Sequence, residues 1–214
     1  MRIDGAVFDF DGTLMDTEPA IMASFEHVFE LYRTVEEFTP DRRIKVLGPP
    51  LDRMMAEFFP EQDPWECVEQ YRKYQREHLR DLIRPMSGAI EMLDRLAELK
   101  IPCAVVSTRY YLSLKELMDR HDMSRYMTVV LGNDSVRNPK PDPEGILLAK
   151  EKLGAEEIFY VGDSVMDVEA GRNAGAYTIA YPSNEGKKAA LIASGPDLVI
   201  YDLRDLPAVL SERK

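Results

Sequence analysis

The sequence predicts an α/β fold: a doubly wound, Rossmann-like parallel sheet with an inserted helical cap. Three observations lead there. Short apolar runs recur at 3–10, 101–108, 128–132, 158–161, 177–181 and 198–200, and their continuity and β-branched and aromatic content suit strands buried on both faces. From residue 86 onward, segments of helical period alternate with these runs, as crossover helices do in a parallel sheet. The stretch 15–85 breaks that rhythm and holds no convincing strand.

Taken in order, the run at 3–10 is a strand leading straight into Phe8-Asp9-Phe10-Asp11-Gly12-Thr13-Leu14. The insert opens with Asp16 or Thr17 as a helix cap and Pro19 in a first-turn position, where its missing N–H costs nothing. Ile21, Phe25, Val28, Phe29 and Tyr32 then form a helical stripe. A second helical region covers 51–59 and a third 64–83, separated by Pro60 and Pro64, since proline cannot continue a helix. This organisation predicts a core domain from 1–14 and 86–214 and a helical cap domain over 15–85. An insert there lands at the carboxyl edge of the first strand, where open α/β sheets hold their ligands. Beyond it, Ile90, Leu93 and Ala97 mark one helix, 110–120 another, and Ile146, Ala149 and Leu153 a third.

Bulk properties narrow the function. A chain of 214 residues can bury one substantial domain plus an insertion. Its 45% hydrophobic and 30% charged composition is that of a globular protein. The net charge of −11 argues against nonspecific nucleic-acid binding and against anionic membrane surfaces. No apolar run reaches membrane-spanning length, and the first residues lack the apolar core of a signal peptide, so a cytoplasmic location is expected. Cys67 and Cys103 stand far apart without metal-like spacing and read as reduced, buried thiols. His27, His78 and His121 are scattered and read as structural or exposed. The sequence leaves monomer or homodimer open.

Chemistry concentrates where strands end. Asp9 and Asp11 are two residues apart, so in extended chain both carboxylates point to one side. Such a pair can hold a hard divalent cation through oxygen or divide nucleophilic and proton-transfer roles; alone, it is equally a strand followed by a turn. Ser107-Thr108 ends the next strand, where a hydroxyl and helix-start N–H groups can hold phosphate oxygens or cap the helix. Arg109 follows beside the same crevice and is a candidate for a substrate anion. Lys140 sits between Pro139 and Pro141, which restrict its backbone; its ammonium can offset carboxylate and phosphoryl charge. Asp163 follows 158–161, with Asp167 one turn into the next helix, placed to steer a cation's surroundings or Lys140. All four features fall at predicted carboxyl ends of strands and so can converge on one crevice. A local cation is required there, because the acidic surface otherwise repels an anionic substrate.

The order Asp9-x-Asp11-Gly12-Thr13, Ser107, Lys140 and Gly162-Asp163-x-x-x-Asp167 resembles the haloacid dehalogenase superfamily over essentially the whole chain. The insert is similar to the helical cap of its subfamily I. Asp16-Thr17, Leu47-Gly48-Pro49-Pro50-Leu51, Lys140-Pro141-Asp142-Pro143 and Ala170-Gly171-x-x-Ala174-Gly175 resemble the phosphoglycolate phosphatases and related pyrophosphate-cleaving members. The resemblance implies Mg2+ as cofactor, with Asp9 as nucleophile and metal ligand. It implies Asp11 as general acid/base and backbone-carbonyl ligand, Asp163 as third ligand and Asp167 as a supporting carboxylate. Ser107 and Lys140 would bind the phosphoryl group, with Thr108 standing where relatives carry Asn.

The same resemblance separates reactions. Dehalogenase members lack the second aspartate, which is present here as Asp11. Sugar phosphomutase relatives carry a cationic Leu-Lys-Gly-type cap motif, and Leu47-Gly48-Pro49-Pro50 stands in its place. Phosphonatase relatives need a cap lysine for a Schiff base, and the surroundings of Lys45 and Lys73 mark neither as desolvated. What remains is hydrolysis of a small phosphorylated metabolite, phosphoglycolate-like, with pyrophosphate as the alternative. Gly48 would lie in a cap loop facing substrate, flanked by Arg42, Arg43, Lys45 and Arg53. A phosphorelay receiver module is the competing class, since it also combines acidic pair, hydroxyl, lysine and Mg2+; its phosphoacceptor ends a later strand, and it has no insert of this size.

Overall fold

The computed structural model describes residues 3–211. In chain order, β1 (Gly5–Phe8) is followed by β2 (Met15–Asp16), α1 (Glu18–Tyr32), α2 (Pro40–Lys45), α3 (Leu51–Phe58), α4 (Pro64–His78) and β3 (Arg84–Pro85). Then come α5 (Ala89–Glu98), β4 (Cys103–Val106), α6 (Tyr111–Arg120), β5 (Met127–Leu131), α7 (Glu144–Leu153) and β6 (Ile158–Gly162). The chain closes with α8 (Val165–Asn173), β7 (Tyr177–Ala180), α9 (Glu185–Ala193), β8 (Leu198–Val199) and α10 (Leu206–Ser211). It divides into two compact units: residues up to 15 together with those from 85 onward, and residues 16–84.

The first unit is the predicted α/β fold. Its six-stranded sheet runs β5-β4-β1-β6-β7-β8, and every neighbouring pair is parallel. All four β1 residues are buried, because the strand lies mid-sheet with helices over both faces. Val7 pairs with Ala104 on one side and Tyr160 on the other. These three join Ile146 and Ala149 of α7 in one apolar layer. On the opposite face Phe8 meets Phe159 edge-on at 5.7 Å. Each such side chain contributes on the order of 1.5–3 kcal/mol when buried. The strands are shorter than the apolar runs that predicted them. The run 101–108, for example, keeps only Cys103–Val106 as strand, the part that finds ladder partners in β1 (Ala6–Phe8) and β5 (Met127–Leu131). The topology sets β4, β1 and β6 side by side, so their carboxyl ends deliver Ser107, Asp9 and Asp163 to one edge.

The second unit is helical. Phe25, Phe29, Phe38, Phe58, Phe59 and Tyr71 form its core, with Phe29 stacked on Phe38 at 4.9 Å. Thr17 is the α1 N-cap residue and Pro19 lies in the first turn, but the Thr17 hydroxyl makes no capping bond. Asp63 does cap α4, accepting from the N–H groups of Trp65 and Glu66 at 2.8 and 3.1 Å. Three predictions need correction. The stretch 15–85 is not free of strand: β2 and β3 stand at its two ends and pair with each other, each only two residues long and so too short to show an apolar run. The six-residue α2 was not anticipated, because it is too short and too charged to show a stripe. The third helix ends at His78 rather than at 83, and Arg80–Leu82 forms a separate 3-10 turn. Among the described residues no helix is long and apolar enough to cross a membrane.

Candidate active site

Asp9 is the first residue beyond β1, and its N–H still bonds the Val161 carbonyl of β6 at 2.8 Å. The following turn closes through Leu14 N–H to Phe10 carbonyl at 3.0 Å and Gly12 N–H to Met15 carbonyl at 2.8 Å. Gly12 has φ +81°, a conformation that costs glycine little and other residues more. A Cβ there would also overlap the Asp163 carboxylate. The Asp-Gly pair is therefore a turn, and the turn presses its backbone against another acidic side chain.

Lys140 leaves the 138–143 loop and becomes buried among three oxygen acceptors. Its Nζ donates to Asp9 Oδ1 at 2.5 Å, Asp167 Oδ1 at 2.7 Å and the Tyr160 hydroxyl at 3.0 Å. That satisfies all three ammonium protons. The Tyr160 hydroxyl in turn donates to Asp167 Oδ1 at 2.8 Å. Asp167 Oδ2 accepts from the Ser164 hydroxyl at 2.5 Å and the Ser164 N–H at 3.1 Å, within the capping box that starts α8.

These contacts explain the proton affinities. Burial would strip the Lys140 proton, but Asp167 and Asp9 outweigh it and hold the ammonium well above the usual lysine range. Burial likewise pushes Asp167 up, yet Lys140 and the bonds from Lys140, Ser164 and Tyr160 overcome it and hold the carboxyl below the usual range. Asp9 is pushed well up: burial dominates, Lys140 opposes, and Asp167 and Asp163 add repulsion. Burial also raises Asp163, against the pull of Lys187.

One oxygen each of Asp9, Asp163 and Asp167 lies within 4.8 Å of the others. Asp167 has both oxygens committed to protein donors, which suits a positioning role. Among the described residues, Asp9 Oδ2 and Asp163 Oδ1 accept no hydrogen bond. Two buried carboxylates with open oxygens, both disfavoured as anions by burial, fit a hard divalent cation with oxygen ligands.

Ser107 is buried, and its hydroxyl accepts the Arg109 N–H at 3.1 Å. The helix-cap alternative for Ser107-Thr108 fails, because the α6 N-cap is Tyr110. Ser107, Thr108 and Lys140 line one small recess with Gly132 and Gly145. Arg109 turns its guanidinium onto Asp11, at 2.6 and 3.2 Å. Gly48 belongs to the helical unit, at φ +121° between α2 and α3. Three cations beside it have partners inside that unit. Arg43 pairs with Glu26 and lies over Phe38, Arg42 lies over Phe58, and Lys45 pairs with Glu57. The sequence pointed to neither Tyr160 nor Lys187. Tyr160 read as a core aromatic, and Lys187, bonded to Asp163 Oδ2 at 2.8 Å, follows no motif.

Residues 6–181 match the haloacid dehalogenase-like hydrolase family. The chain is 32% identical to the pyrophosphatase PpaX of Listeria monocytogenes over 218 residues, covering 100% of this chain and 99% of that one. A Bacteroides fragilis structure described as a haloacid dehalogenase-like hydrolase superposes with TM-score 0.85 at 25% identity, covering 96% and 100% of the two chains. A Lactobacillus plantarum structure described as a phosphoglycolate phosphatase gives TM-score 0.86 at 22% identity, covering 98% and 100%, and speaks for the fold alone. With the family matched from the second residue of β1 to just past β7, the chain belongs to the haloacid dehalogenase-like hydrolases.

Proposed function

We propose that the chain is a Mg2+-dependent hydrolase of a small phosphate anion, working through an aspartyl-phosphate on Asp9, with pyrophosphate as the first candidate substrate. That it is a phosphohydrolase follows from its family and its full-length similarity to a pyrophosphatase. The observation carrying the finer reading is the buried Asp9 carboxylate at the end of a mid-sheet strand. Lys140 holds one of its oxygens and the other is open. A phosphorelay receiver does not belong to this family, and that reading is set aside.

In this reading an Asp9 oxygen attacks phosphorus while the bond to the leaving oxygen breaks, and Asp11, after giving up one Arg109 bond and taking up a proton, supplies that proton to the leaving oxygen. Water then attacks the phosphorus, Asp11 takes the water's proton, and orthophosphate leaves with Asp9 restored. Lys140 offsets the charge of Asp9 and the phosphoryl oxygens, while Ser107 and the N–H of Thr108 orient them. Asp9, Asp163 and the Asp11 carbonyl would hold Mg2+, which when bound supplies concentrated positive charge against those oxygens. Residues 15–85 serve as the cap that selects substrate and excludes water, with Gly48 in its substrate-facing loop. The net charge of −11 supports a small-molecule partner rather than nucleic acid or an anionic membrane surface.

Phosphoglycolate stood first on sequence motifs alone. Similarity to pyrophosphatase PpaX along the whole chain moves pyrophosphate ahead, whereas the phosphoglycolate phosphatase neighbour supports only the fold. Rates on pyrophosphate, phosphoglycolate and a panel of sugar phosphates, each with Mg2+ and with excess chelator, test both levels. The expected result is highest kcat/KM on pyrophosphate and silence in chelator. A preference for phosphoglycolate reverses the substrate assignment, and full activity in chelator rejects the metal.

A further inference from the structure

Lys187 lies in the first turn of α9, outside every motif that marks the site. Its ammonium is 2.8 Å from Asp163 Oδ2, and both side chains are largely shielded, at 14% and 7% exposure. The chain fixes this approach twice. Asn184 caps α9 and accepts the Lys187 N–H at 3.2 Å, and the neighbouring Ser183 hydroxyl donates to the same Oδ2 at 3.3 Å. Asp163 is thus paired with a cation from 24 residues downstream. Asp9 has Lys140, Asp11 has Arg109, and Asp163 has Lys187.

We propose that Lys187 is a tethered competitor for the divalent cation: it neutralises Asp163 in the metal-free protein and sets how tightly the metal binds. The inference rests on the reading of Asp9 and Asp163 as metal ligands. A positive charge held on a ligand oxygen opposes an incoming dication, and an Asp163 already paired gains less from coordinating it. A buried Asp163 with no counter-ion would draw the cation more strongly. Lys187 would then trade metal affinity for a site that stays folded when metal is scarce.

The test is calorimetric titration of the full chain with MgCl2, comparing the parent with Lys187→Gln, which keeps a donor but removes the charge. Lys188→Gln is the control. Lys188 pairs with Glu185 on the surface, so this variant changes net charge equally but far less locally. The expected result is a Kd for Mg2+ about tenfold lower in Lys187→Gln and unchanged in Lys188→Gln. A second measurement uses the parent alone, so a folding defect in the variant does not decide the matter. Acylation of Lys187 by an amine-reactive ester, followed by mass spectrometry, should accelerate several-fold at saturating Mg2+. Equal or weaker Mg2+ binding in Lys187→Gln, or unchanged labelling of Lys187 on metal binding, overturns the proposal while leaving the metal site intact. Absence of Mg2+ binding in parent and variant alike overturns the proposal and the metal site together.

Discussion

Arg109 grips Asp11 with two nitrogens, Nη2 at 2.6 Å from Oδ1 and Nε at 3.2 Å from Oδ2. Its third nitrogen, Nη1, donates to the Ser113 hydroxyl at 3.1 Å, and its own N–H is held by Ser107. A planar guanidinium fixed at both ends in this way sets the direction of the carboxylate it holds. The side chain read from sequence as a candidate for a substrate anion is engaged with the candidate acid/base. The pairing also shows how a chain of net charge −11 assembles carboxylates in one place: each one meets a cation of its own chain.

Replacing Arg109 tests whether that grip matters. Arg109→Met should lower kcat/KM on the best substrate by roughly 30-fold, the equivalent of about 2 kcal/mol for a charged bidentate contact. Arg109→Lys, which keeps the charge but loses the fork, should recover only part of the loss. Full activity in Arg109→Met would show that Asp11 orients itself without help.

Asp9→Asn should abolish turnover, by at least about a thousandfold, because a carboxamide cannot serve as the nucleophile. The fold should survive: Lys140 keeps Asp167 and Tyr160 as acceptors, and the side-chain volume hardly changes. Circular dichroism and thermal unfolding check the second point. Equal activity in the two proteins, with contaminating phosphatase excluded, rejects Asp9 as nucleophile.

Tyr160 acts on the site only through Lys140 and Asp167. Tyr160→Phe removes one hydroxyl that accepts from the first and donates to the second. Its loss leaves a buried ammonium short of an acceptor, at a stability cost of about 1–3 kcal/mol. Because Lys140 would lose positioning rather than charge, kcat should fall several-fold with KM moving less. Urea unfolding and steady-state kinetics read the two effects separately. An unchanged unfolding midpoint and an unchanged kcat would remove Tyr160 from the network.

Why the motifs were legible and Tyr160 and Lys187 were not has a physical basis. Strands such as β1 and β6 announce themselves because burial on both faces demands unbroken apolar runs, and the site residues follow at their ends. Lys140 stands out because prolines flank it. Tyr160 sits inside such a run, where an aromatic is expected as core; that its hydroxyl reaches Lys140 depends on where the 138–143 loop folds back. Lys187 meets Asp163 only through the path of the chain after β7, and no local spacing encodes that. The end of α4 at His78 was missed for a related reason. A 3-10 turn carries helical periodicity onward after the helix itself has stopped.

Cys103 gives a prediction in alkaline solution. Its thiol is buried at the start of β4, donates to the Ile101 carbonyl at 3.5 Å, and is pushed by burial from 9.0 up to about 12. The unfolded thiol loses its proton first as pH rises, so between those values the unfolded chain binds fewer protons than the folded one. Stability from this group is therefore fully present below about pH 9 and is lost as pH climbs toward 12. Urea midpoints of the parent and of Cys103→Ala, measured from roughly pH 8 to roughly pH 11, should converge with rising pH, because only the parent carries the titrating thiol. Tyrosines and lysines titrate in the same range, and the comparison with the variant cancels them. In the folded parent Cys103 should also resist a thiol-reactive disulfide at neutral pH, since the thiolate is the reactive form. Rapid labelling without unfolding, or parallel midpoint curves, would show that the buried thiol ionises as an ordinary one does.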